Sequence, residues 1–149
     1  MNQFLTRLEM AKVSYDGSGR PVFELLSHLD YWSDLYGFHR MEKGRRTNLC
    51  STPRFPVVYL IAGEEDEESS AIHDDKYTRH DVSKEVADLL FLEMMAAPKV
   101  VEVQKITPAW KRRLKYEGVA RFGNSSWAAD NTVWQPSDEF FTAGGLVAP

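Results

Sequence analysis

The sequence predicts an α+β fold: N-terminal β-hairpins or a small antiparallel sheet, then a three- to four-helix C-terminal half, then an extended aromatic tail. Three observations carry this. Turn signals dominate up to about residue 46, helical spacing dominates between about 69 and 122, and the remainder mixes Pro, Gly and Ser with large aromatics. A chain of 149 residues, 43% hydrophobic and 12% aromatic, fits one compact domain. Residues 1–126 are read as that domain and 127–149 as an arm.

In the first part, PVFELL is a short apolar run bounded by turns, as a strand requires. SYDGSGRP places Asp-Gly and Gly where positive φ is tolerated, so it connects two strands tightly. After KGRRTNLCSTPRFP, the apolar VVYLIAG suits a strand or a helical turn, and periodicity alone does not choose. EEDEE at 64–68 is an exposed acidic loop ending at Ser69 and Ser70, either of which can cap a helix AIHDDKYT. Ser83 or Asp81 caps the next helix, in which Val86, Leu89, Leu90 and Met94 recur before Pro98 forbids continuation past Ala97. A third helix begins near Pro108 and carries Trp110, Leu114 and Val119 toward Phe122 and Gly123.

Composition narrows the function classes. One thiol, Cys50, cannot form an internal bridge, and the aromatic content makes disulfides or a structural metal unnecessary for stability. No run of eighteen apolar residues occurs and MNQFLTRLEMAKV has no secretory pattern, so cytoplasmic synthesis without a transmembrane segment is expected. A formal charge of −4 argues against specific nucleic-acid binding, with KRRLK at 111–115 read as a solvated helix face.

The stretch SSAIHDDKYTRHDVSKEVADLLF holds the candidate site. If its two helices are antiparallel and turn near residues 80 and 81, His73 and Asp88 lie at one level and face each other. Tyr77, four residues after His73, shares its face. Asp88 interrupts an apolar run, where an unpaired charge would lose solvation, so it needs a partner such as His73. An aspartate that fixes one imidazole nitrogen leaves the other free to act as a base on water. Asp74 could hold a cation beside that water. A His-Asp pair across two helices is also a common way of satisfying a buried polar contact, and such a link serves helix register rather than catalysis. His80 and Asp81, at the turn, are read as an exposed side chain and a cap.

The segments T47-N-L-C-S-T-P-R54, A71-I-H-D-D-K-Y77, S83-K-E-V-A-D-L-L-F91 and R113-L-K-Y-E-G-V-A-R-F-G123, with Trp127, resemble an uncharacterised domain family of tailed phages and prophages. That family's pattern runs Thr-Asp-x-Ala-Ser-Val-Pro-Arg, His-Asp-x-x-Tyr, Arg-x-x-Ala-Asp-x-x-Phe and a last helix ending in Phe-Gly. The resemblance implies phage or prophage origin. Locally, His-Asp-x-x-Tyr followed by Asp on the next helix is similar to calcium-dependent phospholipases, which implies a divalent cation such as calcium at Asp74. The sequence departs from the family pattern at Asn48, Cys50, Thr52 and Lys84. Asn48 cannot serve as an ionised ligand or base.

Two functions follow. One is a virion-associated or accessory structural protein, made in the host bacterial cytoplasm and carried in the virion. It docks on phage structural proteins or on itself through Trp127, Trp134, Phe140 and Phe141. The other is a small hydrolase acting on lipid or cell-wall ester or amide bonds, with His73 as base, Asp88 as orienter, Tyr77 as support and a cation at Asp74. Asn48 and the aromatic arm tip the sequence reading to docking. An open cleft at His73, Asp88 and Asp74 would favour the hydrolase, and a sealed one the docking protein.

Overall fold

The computed structural model describes residues 1–17, 19–49, 66–101 and 106–128. Cys50, the VVYLIAG run and the tail beyond 128, with Trp134, Phe140 and Phe141, lie outside them.

The fold is α+β. Among the described residues six strands come first: β1 (Gln3–Phe4), β2 (Met10–Tyr15), β3 (Pro21–Leu25), β4 (Leu29–Ser33), β5 (Gly37–Met41) and β6 (Arg46–Thr47). They form two antiparallel three-stranded sheets, ordered β1-β4-β5 and β2-β3-β6. The expected turn in SYDGSGRP joins β2 to β3: the Asp16 carboxylate accepts from the Arg20 amide at 3.0 Å and Gly19 takes φ 83°. The β4–β5 turn is closed by the Ser33 hydroxyl, which accepts from the Tyr36 amide at 3.0 Å, and by Gly37 at φ 84°.

Helices α1 (Glu67–Arg79), α2 (Lys84–Ala96), α3 (Ala109–Phe122) and α4 (Asn124–Ala128) follow. Neither Ser69 nor Ser70 caps α1; both lie inside the helix, and Asp66 occupies the N-cap position. The acidic run is therefore partly helical, with Glu67 and Glu68 in the first turn, where the helix dipole favours negative charge. Ser83 caps α2, accepting from the Val86 amide at 3.2 Å, and Asp81 instead receives Lys76 at 2.9 Å. The helix ends before Pro98, as its missing N–H demands.

Phe4, Leu25, Leu29, Tyr31 and Met41 from the sheets pack against Ala71 and Ile72 of α1 and Leu90 and Met94 of α2 in one buried cluster. Phe91 and Met95 of α2 meet Val119 of α3 in a second. The α1–α2 hairpin is thus packed between sheet and α3. Trp110 does not join either cluster. It is 58% exposed, with the Lys111 ammonium 5.6 Å above its ring. Nor is KRRLK wholly solvated, because Lys115 is buried and donates to Asp66 at 2.8 Å. A buried carboxylate needs that cation, and this need outweighs the periodicity that would have placed Lys115 outside.

Candidate functional site

Asp88 organises the middle of the helical half. One of its oxygens, Oδ1, accepts from His73 Nε2 at 2.8 Å and from the Tyr77 hydroxyl at 2.6 Å. The other, Oδ2, accepts from Lys84 Nζ at 2.7 Å. Spacing explains the convergence. His73 and Tyr77 are four residues apart on α1, Lys84 and Asp88 four apart on α2, so each pair shares a helix face and the hairpin brings the faces together. Lys84 also donates to the Val119 carbonyl at 2.9 Å, near the end of α3, and so ties a third helix to the network.

Burial opposes ionisation of Asp88, but the hydrogen bonds from His73, Lys84 and Tyr77 outweigh it and hold its pKa below the usual value. Burial, and then the bond to Asp88, push the Tyr77 phenol well up, so it remains a donor. An ionised carboxylate only accepts, so the proton of a neutral His73 sits on Nε2 and Nδ1 is the basic nitrogen. Among the described residues no hydrogen-bond partner meets Nδ1. The imidazole meets the Tyr77 ring at 4.4 Å and the Phe91 ring at 4.6 Å, both tilted.

The pair is not at an open surface: His73 and Asp88 are each 2% exposed. A cavity of about 450 Å³ lies elsewhere, lined by Leu8, Met10, Glu67 and Val101 among others, and touches neither residue. Asp74 points to a different neighbourhood. Its Oδ2 accepts from the Thr47 hydroxyl at 2.7 Å, and the Asn48 backbone amide donates to its carboxylate. Burial raises its pKa despite these donors and the nearby His73. The residue after Thr47 thus acts through its backbone on Asp74, while its side chain donates to Asp16 at 3.0 Å.

The resemblance to calcium-dependent phospholipases implies a cation at Asp74, and the described residues do not fit one. Among them no three His, Cys, Asp or Glu side chains gather as a ligand set, and Asp74 is supplied with hydrogen-bond donors rather than fellow ligands.

Trp127, the first residue of the expected arm, is used within its own domain. Its ring meets Tyr77 edge-on at 5.1 Å and stacks on His80 at 3.9 Å, and its carbonyl is 3.0 Å from His80 Nε2. His80 caps α1 in the left-handed region, φ 54°, which turns its ring toward α4.

Sequence reasoning did not find three further contributors. Lys84 was legible in principle, from its four-residue spacing to Asp88. Gly123 and the buried Arg45–Asp75 pair were not, because their partners are distant in sequence. No helix among the described residues is long and apolar enough to cross a membrane. A family model described as "Protein of unknown function (DUF1353)" matches residues 23–119. No curated protein and no solved structure matches the chain.

Proposed function

The chain belongs to the DUF1353 family of proteins of unknown function; from the geometry of the site we propose that it is a small hydrolase whose general base is His73. The reading rests on one observation above the others, set against a sealed site that by the cleft criterion favours docking: Asp88 accepts from both His73 Nε2 and Tyr77, which leaves Nδ1 as the basic nitrogen. In this mechanism Nδ1 takes a proton from water as the oxygen attacks an ester or amide carbonyl of a lipid or cell-wall substrate. Asp88 stabilises the imidazolium that forms, and Tyr77 and Lys84 keep Asp88 ionised and oriented. Imidazolium then returns the proton to the leaving group. No step passes through a cation.

The test is hydrolysis of phospholipid vesicles, short-chain esters and peptidoglycan by the purified protein. His73→Asn is expected to lower turnover by roughly 10²–10⁴-fold, the usual worth of a general base, while thermal melting stays cooperative. Absence of turnover on all three by both the unaltered protein and Trp127→Ala would sink the reading.

A second reading is a virion-associated or accessory docking protein of a phage or prophage. What favours it is the depth of His73 and Asp88, together with the bond from Lys84 to Val119, wiring that also serves to clamp three helices. In that case the network is a staple, and His73→Asn lowers the melting temperature without any activity to lose.

A further inference from the structure

A base that is 2% exposed can work only if something moves. Tyr77 lies directly on the His73 ring and is itself clamped on three sides. Asp88 holds its hydroxyl, Trp127 meets its ring edge-on, and Gly123 lies against the hydroxyl so closely that a Cβ there would stand 2.6 Å from it. Gly123 is thus required by close approach rather than by backbone conformation, since its φ is −82°. Helix α4, which follows it, buries none of its five residues. The segment is held to α1 by the half-buried Trp127: one stack on His80, one edge contact on Tyr77 and one carbonyl bond to His80. Elements anchored by few contacts, as this one is among the described residues, occupy the low-stability end of a fold.

We propose that Gly123–Ala128 is an autoinhibitory cover, held shut by Trp127 between Tyr77 and His80, whose release frees Tyr77 and opens the way to His73. The inference rests on the hydrolase reading for its purpose, but not for its test. Gly123 is the hinge, because it is the junction between the firmly packed α3 and the loosely held α4. Release moves Trp127 off Tyr77, and the phenol ring can then swing from the imidazole face while Lys84 continues to hold Asp88. A substrate or partner that competes for Trp127 or for the His80 ring would open the cover.

Carbethoxylation by diethyl pyrocarbonate, read by mass spectrometry at each of His28, His39, His73 and His80, measures the opening directly, since the reagent needs an unprotonated ring nitrogen such as Nδ1 of His73. Trp127→Ala is expected to raise the rate at His73 by about tenfold with little change at His28 and His39, as local opening requires. Trp127→Phe, which keeps a ring against Tyr77, should stay near the unaltered rate. His80→Ala removes the stack from the exposed side, at the left-handed cap of α1, and should give a smaller rise at His73, with an unchanged rate at His28 and His39 showing that the cap has held. An unchanged His73 rate in both alanine variants overturns the proposal, and so does an equal rise at His28, His39 and His73. Because labelling does not depend on turnover, a cover that opens on a protein with no hydrolytic activity would leave this inference standing and remove only the hydrolase reading.

Discussion

Asp88 and Asp75 are both buried carboxylates of the helical hairpin, and their surroundings drive them in opposite directions. Around Asp88, three donors overcome burial and keep the pKa below 3.8. Around Asp75, burial dominates and raises the carboxyl to about 6, against the pull of Arg45 at 2.5 Å and of Arg79. The consequences for stability have opposite signs. Stability from Asp88 is present above about 3.8 and is lost as pH falls through its lower folded value. Between about 3.8 and about 6 the folded chain keeps a proton on Asp75 that the unfolded chain has released, so the contribution of this group declines as pH rises through that window. Urea melts from pH 3 to 7 check both. Asp88→Asn should flatten the loss at the acid end, and Asp75→Asn should remove the decline up to pH 6, whatever each does to absolute stability. Asp88→Ala is a separate prediction: it leaves the His73 and Tyr77 donors unsatisfied and should destabilise by about 1–3 kcal/mol in the same melts.

At the scale of elements, one charged link between sheet and helices is the buried Arg45–Asp75 pair, with both side chains no more than 3% exposed. Arg45 sits just before β6 and Asp75 in the middle of α1, so the pair fixes the β2-β3-β6 sheet on the helical hairpin. Arg45→Leu should cost about 3–5 kcal/mol in chemical denaturation, because it strands a buried carboxylate rather than merely removing a contact. This pair also marks where sequence reasoning stops. The β-hairpins were legible because Asp16, Gly19 and Gly37 act within a few residues of their effect. The level pairing of His73 with Asp88 was legible because helical geometry fixes both positions relative to a short turn. By contrast, the start of α1 was read three to four residues late. Asp66 makes no capping bond of its own, and its carboxylate is committed to Thr107 and to Lys115, 49 residues away. On α3, the face turned toward Asp66 is the one that carries Lys115, and Trp110 lies outside.

For the whole molecule, the end of the domain and the role of the last aromatics are coupled through Trp127. The sequence reading put the boundary between 126 and 127, yet α4 runs across it and Trp127 packs on Tyr77 and His80. Trp127 is therefore a domain residue by its contacts. The residues beyond it contain Trp134, Phe140 and Phe141, side chains large enough for burial of two to contribute several kcal/mol to an assembly, on the order of 1.5–3 kcal/mol each. Two truncations separate the roles. Ending the chain after Asn124 removes Trp127, and by the contacts described it should uncover Tyr77 and increase labelling of His73. Ending it after Ala128 keeps that contact, and an arm devoted to docking then predicts an unchanged melting temperature with loss of self-association or of binding to a partner, read by analytical ultracentrifugation. A cooperative melt that collapses on removal of residues 129–149 alone would instead make the tail part of the core. It would take weight from docking and return it to a self-contained enzyme.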